Sequence, residues 1–149
     1  DVYHTCNISN LKRVLHRVRR ESAYFNVSVS ALIGTPAFAR KLADIEIQIT
    51  ALEFTVLRVL SKVSRGGAPG AESSLLKVRG TEIQQALTEL LLEAAGYEAF
   101  AYVPEGGQAV NAKWTARAAA NYFNYRKVTI YGGSSEVQKN IMAKAVLGL

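Results

Sequence analysis

One cysteine, two histidines and no apolar run long enough to cross a bilayer are the first facts of this 149-residue sequence. Cys6 has no second cysteine to pair with, so no internal disulfide staples the fold. His4 and His16 together with one thiol are too few to build a metal-ligand cluster. Stretches such as Ala86-Leu87 and Leu90-Leu91-Leu92 fall far short of the roughly 20 apolar residues that a membrane-crossing helix needs. The start, Asp1-Val2-Tyr3-His4, has neither the charged nor the apolar region of a secretory signal. No Ser/His/Asp order stands out, and the histidines read as surface side chains. The expected compartment is a reducing one, the cytoplasm or, in a eukaryote, the mitochondrial matrix.

What is present is ample core material. Hydrophobic residues make up 49 %, enough for residues 1–149 to be expected as one domain. The balance of 18 basic against 12 acidic residues gives +6, and Lys12, Arg13, Arg17, Arg19 and Arg20 crowd into one short stretch. Such a stripe suits phosphates, nucleic acid or an anionic membrane, although a solvated helix face is the commoner explanation. Nucleic acid is not expected, because the sequence has no zinc knuckle, no helix-turn-helix turn and no aromatics interleaved with the basic run.

Periodicity predicts helices throughout. Residues from Asn7 or Ser9 to about Phe25 place Leu11, Val14, Leu15 and Val18 on one side. Residues 27–33 read as a helix continuation or an irregular link. Thr35-Pro36 then supplies a capping hydroxyl and a proline for the first helical position. Phe38, Leu42, Ile45, Ile49, Leu52, Val56, Val59 and Val63 follow at spacings of four and three, a continuous stripe along a helix of about seven turns. Gly66-Gly67-Ala68-Pro69-Gly70 is a loop. Leu75, Leu76, Val78, Ile83, Leu87, Leu90, Leu91 and Ala94 mark the next helix, 72–95, which tolerates Gly80 at a cost of about 1 kcal/mol against alanine and ends at Gly96. A loop with Pro104 and Gly106-Gly107 is expected over 97–107, an alanine-rich helix over 109–125, and a last helix over 135–147 with Val137, Ile141, Ala145 and Val146 turned inward. The expected fold is all-α, an antiparallel up-and-down bundle of four to five helices.

The most informative segment is the turn before that last helix. Paired glycines admit positive φ and close approach of a ligand, and the helix start offers unpaired N–H groups and the positive end of its dipole. Ser134 and Ser135 are candidate caps, and Glu136 suits the first turn. On spacing alone, a glycine turn ahead of a helix is more often only a turn. Glu46, Glu53, Glu82, Glu89 and Glu93 lie at helical spacings and read as solvated or paired rather than catalytic.

Tyr131-Gly132-Gly133-Ser134-Ser135-Glu136-Val137-Gln138-Lys139-Asn140-Ile141, closing in Val146-Leu147-Gly148-Leu149, resembles the end of acyl-CoA dehydrogenases, flavoenzymes that oxidise acyl-CoA thioesters to enoyl-CoA. The likeness continues through Ala120-Asn121-Tyr122-Phe123-Asn124-Tyr125-Arg126, through Leu75-Leu76-Lys77-Val78-Arg79-Gly80-Thr81-Glu82-Ile83-Gln84-Gln85, and more weakly through Arg40-Lys41-Leu42-Ala43-Asp44-Ile45. It spans the sequence from about Pro36 onward.

The resemblance implies the C-terminal helical domain of a longer polypeptide, whose N-terminal helical domain and β-domain complete the FAD and acyl-CoA sites. It also implies homo- or hetero-oligomers formed through the bundle. The family's chemistry needs a glutamate to take the α-proton while hydride leaves the β-carbon for the flavin. In many members that glutamate follows the tyrosine of the terminal motif, where this sequence has Gly132. In others it comes from an earlier helix, at or beyond Asp1 here. No catalytic residue is therefore implied within these residues. The family's Arg before a Phe-Gly pair has no counterpart, the stretch at 24–29 being Tyr-Phe-Asn-Val-Ser-Val. Of its Gln-x-x-Gly-Gly motif, Leu92-Glu93-Ala94-Ala95-Gly96 keeps only the last glycine. Gly132, Gly133, Ser134, Ser135 and Gln138 remain as the implied FAD-contacting set, and Arg126 is implied as a structural or interface cation. Two functional expectations follow: a domain of a flavin-dependent acyl-CoA dehydrogenase, inactive when isolated, or a non-catalytic assembly subunit such as the degenerate partner of a heteromeric dehydrogenase.

Overall fold

The computed structural model describes residues 7–24 (side chains as far as Glu21), 34–101 and 115–148. His4, Cys6, the link at 27–33, the stretch at 25–29, Pro104, Gly106-Gly107, the expected helix start at 109–114 and Leu149 lie outside the described residues. Five α-helices appear: α1, Ile8–Tyr24; α2, Pro36–Ser64; α3, Glu72–Ala95; α4, Thr115–Asn124; and α5, Ser135–Leu147. No strand occurs among the described residues. Segment 97–107 is not all loop as expected: its described part belongs to a 3₁₀ turn, Gly96–Phe100, whose Ala99 is buried against the core.

The helix ends follow the local chemistry. Thr35, extended at φ −77° and ψ 132°, accepts a hydrogen bond from the Phe38 N–H at 3.4 Å, and Pro36 occupies the first helical position, where no N–H is missed. Gly96 ends α3 at φ 56°, and its N–H caps the carbonyls of Leu92 and Glu93. Helix α2 then runs for 29 residues, about 44 Å.

The stripe on α2 buries Phe38, Leu42, Ile45, Ile49, Leu52 and Val59, while Val56 is half-buried and Val63, beyond the neighbouring helices, is exposed. Across from it lie Leu11, Leu15 and Val18 of α1 and Leu76, Ile83, Leu87, Leu90, Leu91 and Ala94 of α3. Leu75, expected on the apolar side, instead faces outward. Helix α3 packs against all four others. Polar cross-links fix the directions: Lys12 meets Glu53 and Arg19 meets Glu46, so α1 and α2 run antiparallel. Lys41 with Glu93 and Gln48 with Arg79 set α2 against α3 in the same sense.

One expectation for α5 fails. Val137 (50 % exposed), Ile141 (45 %), Ala145 and Val146 (71 %) face solvent rather than the core. The inward face is instead Ser135, buried, with Gln138 and Met142 partly so, at i, i+3 and i+7. Ser134 fixes where the helix starts, and that start turns the polar and small residues toward α3.

Removing a buried stripe residue should be costly and removing an exposed one nearly silent. Leu87→Ala is expected to destabilise by about 2–5 kcal/mol, and Leu57→Ala, on the open face of α2, by under about 0.5 kcal/mol, both measured by urea unfolding.

Candidate functional site

The five residues expected around the cofactor do come together in one turn, but in three different roles. Gly132 and Gly133 take φ +68° and +92°, a backbone that a side chain resists. A Cβ on Gly132 would meet open space, whereas one on Gly133 would collide with the amide Nε2 of Gln138, folded back over it. Ser134 is the N-cap, its Oγ accepting from the Val137 N–H at 3.4 Å. Ser135 is buried and donates from Oγ to the carbonyl of Thr129 at 3.5 Å. Gly132 thus presents backbone to the outside, while Ser135 and Gln138 hold the turn from within.

Directly beneath lies a residue the sequence reading passed over. Lys77 of α3 is 1 % exposed, and its ammonium donates to the same Thr129 carbonyl at 3.3 Å. Burial disfavours its charge and pulls its pKa below 10.5, while the Glu136 carboxylate acts in the opposite direction. Glu136 sits at the first turn of α5, and its pKa is lowered by its own backbone N–H and the Ser134 hydroxyl, then by Lys139 and Lys77. Helix end, carboxylate and buried ammonium therefore form one local charge balance. Lys77 lies three and four residues before Gly80 and Thr81, both buried, so a small-residue face flanking a lysine was the available signal.

A second set of polar contacts holds the approach to the turn. Gln85 Nε2 donates to the carbonyls of Tyr125 and Arg126 at 3.3 and 3.2 Å, and Arg126 Nη2 donates back to Gln85 O at 3.1 Å and to Thr88 Oγ1 at 3.4 Å. The Arg126 guanidinium also lies over the Tyr122 ring, 4.4 Å from its centroid. Arg126 is occupied inside the chain, although its buried Nε has no partner.

This arrangement can receive a polar or anionic edge on backbone N–H groups, with a cation below. At Gly132 itself the side chain is only hydrogen, and the carboxylate of the turn is Glu136. Four of the five glutamates at helical spacings are paired, as expected: Glu46, Glu53, Glu82 and Glu93 with Arg19, Lys12, Arg79 and Lys41. No group of three potential metal ligands occurs among the described residues.

Residues 6–147 match the acyl-CoA dehydrogenase C-terminal domain family, and the chain belongs to it. It is 34 % identical over 93 residues to acyl-CoA dehydrogenase FadE34 of Mycobacterium tuberculosis, a match covering 62 % of this chain and 11 % of that protein. Its fold is similar to a chain of the ChsE4–ChsE5 complex from Mycobacterium tuberculosis, with a TM-score of 0.73 and 24 % identity over 95 % of this chain and 36 % of the other. It is also similar to the G363A variant of the Tcur3481–Tcur3483 steroid ACAD, with a TM-score of 0.75 and 17 % identity over 99 % of this chain and 37 % of the other. The chain thus spans little more than a third of the solved chains it resembles.

Two predictions concern this turn. Gly133→Ala is expected to cost more than Gly132→Ala, which carries the positive-φ penalty of about 1 kcal/mol alone, and Gln138→Ala in the Gly133→Ala background should recover the difference in urea unfolding. For Lys77, the folded chain binds the proton less firmly than the unfolded one, so stability rises as pH climbs from the folded-state pKa toward 10.5. Against Lys77→Met, the wild type should therefore gain in urea midpoint across that alkaline range, and equal slopes for the two proteins would refute the assignment.

Proposed function

We propose that this chain is the C-terminal bundle of a polypeptide carrying out flavin-dependent αβ-dehydrogenation of an acyl-CoA thioester, to which it contributes part of the cofactor wall and an oligomer interface. The observation that carries this reading is the turn at Gly132-Gly133: open backbone outside, a capped helix behind and buried Lys77 below. Such a turn fits one edge of FAD. An anionic group there would share the helix end with Glu136, and Lys77 would offset the added charge. FAD, once bound by the complete polypeptide, supplies the hydride acceptor. Gly132, Gly133 and Ser134 would face it, while Ser135 and Gln138 keep their positions.

The exposed apolar side chains Val137 and Ile141 on one face of α5, together with Ile130 and Tyr131 beside the turn, support the interface half of the proposal. A second reading rests on Gly132: with no carboxylate at the family's usual place, the chain suits the non-catalytic partner of a heteromeric dehydrogenase. The ChsE4–ChsE5 complex, to one chain of which this fold is similar, makes a two-component assembly a natural comparison.

Purified residues 1–149 are expected to show no acyl-CoA-dependent reduction of an electron acceptor; turnover would refute the proposal. The complete polypeptide is expected to carry a flavin absorption band and to bleach on adding substrate. If it is colourless and inert alone yet restores both properties to a co-expressed catalytic subunit, the partner reading replaces the first.

A further inference from the structure

At the far end of α2, Arg58, Ser61, Lys62 and Arg65 lie at i, i+3, i+4 and i+7, one face of the helix, and with Gly67 they line an open surface groove of about 460 Å³. The groove exists because the chain folds back on its own helix end. The Gly67 N–H bonds to Lys62 O at 3.0 Å, and a Cβ at Gly67 would press on the Lys62 Cγ and carbonyl at 3.0 Å each. Only glycine lets the loop lie this close.

Several cations lack an ion pair among the described residues, Arg17, Arg40, Lys139 and Lys144 among them, but these three share one helix face and one groove. Lys12, Arg19, Lys41 and Arg79 each pair with a glutamate, whereas Arg58, Lys62 and Arg65 have no ion pair or side-chain hydrogen bond among the described residues. The helix dipole accounts for Lys62 and Arg65 near the C-terminus but not for Arg58, nearly two turns back, because the effect fades within the last turn. One acid, Glu72, lies close by, its carboxylate crowding Gly70 beside the Lys62 ammonium. Three positive charges against one negative leave a net +2, facing two guanidinium forks and a hydroxyl.

We infer that this groove binds a phosphate-bearing ligand of nucleotide size, through Arg58 and Arg65 as bidentate donors, Lys62 as a point charge and Ser61 as a neutral donor. A dianionic phosphate matches the net charge, and guanidinium forks match its oxygens. A single carboxylate would leave one cation unpaired. The groove's volume lies in the range of small-molecule sites. The site is separate from the Gly132-Gly133 turn and does not depend on the reading of that turn.

The test is calorimetric titration of the 149-residue chain with inorganic pyrophosphate at low ionic strength. Saturable one-to-one binding that weakens with added salt is expected, and Arg58→Gln/Lys62→Gln/Arg65→Gln should lose at least about tenfold in affinity. Lys12→Gln/Arg13→Gln/Arg17→Gln removes the same net charge elsewhere and should change affinity by less than about twofold. Glu72→Gln should tighten binding. Absence of binding, or an equal loss in both triple variants, overturns the inference. Parallel titrations with ADP and coenzyme A identify the source: a gain for coenzyme A over pyrophosphate points to a substrate tail, and equal affinity for all three points to free phosphate.

Discussion

Helix α3 is the constraint on which the rest of the molecule depends. It touches every other helix, and 13 of its 24 residues are buried, so its polar side chains must find partners within the protein. Thr81 and Thr88 do so locally, donating to the carbonyls of Val78 and Gln85 three residues back. Lys77 and Gln85 cannot, and they reach across to the backbone of residues 125–129. The segment leading to the Gly132-Gly133 turn is consequently held by hydrogen bonds to its carbonyls as well as by the buried Val128 side chain. Apolar packing is non-directional, whereas these bonds specify one position for the turn.

That distinction explains which parts of the fold are legible in the sequence. The stripe of α2 is read correctly from Phe38 to Val59, because a helix packed on one side obeys its own period. Thr35-Pro36, Gly96 and Ser134 mark ends correctly, because capping is a local matter of one or two residues. The face of α5 is misread because it is set by Ser134 and by bonds to Thr129, not by where its apolar residues fall. Lys77 is missed for a related reason: a lysine reads as solvent-exposed until the neighbours that bury it are known. The Gly132-Gly133 turn is visible from its glycines, yet the opposed roles of its members are not. Ser135 turning in and Gln138 folding over Gly133 depend on atoms from other turns of the chain.

Burying the Lys77 ammonium is unfavourable by itself, and its lowered pKa reflects that. Its position is nevertheless consistent with the charges around it. The α5 start carries positive dipole character and holds the Glu136 carboxylate, so the turn is a local anion centre with its counter-cation beneath. Replacing Lys77 with an apolar residue would remove the desolvation cost but leave Glu136 and the Thr129 carbonyl with one contact fewer. For a buried charge such exchanges are often close to neutral in stability. What the lysine adds is the position of Thr129, and through Ser135 the direction of α5.

The surface charges divide along the same line between register and affinity. Lys12–Glu53, Arg19–Glu46 and Lys41–Glu93 join residues distant in sequence, yet exposed pairs of this kind contribute only about 0–1 kcal/mol each. Their value lies in orientation, since each is satisfied only when the helices run antiparallel at one stagger. Arg13 bonds to Asn10 and Arg20 to Glu21, so most of the basic run on α1 is absorbed by the fold. Part of the net charge of +6 stands without an ion pair at Arg58, Lys62 and Arg65. A cation held in an ion pair contributes little to attracting an external anion; one left facing a groove contributes its whole field.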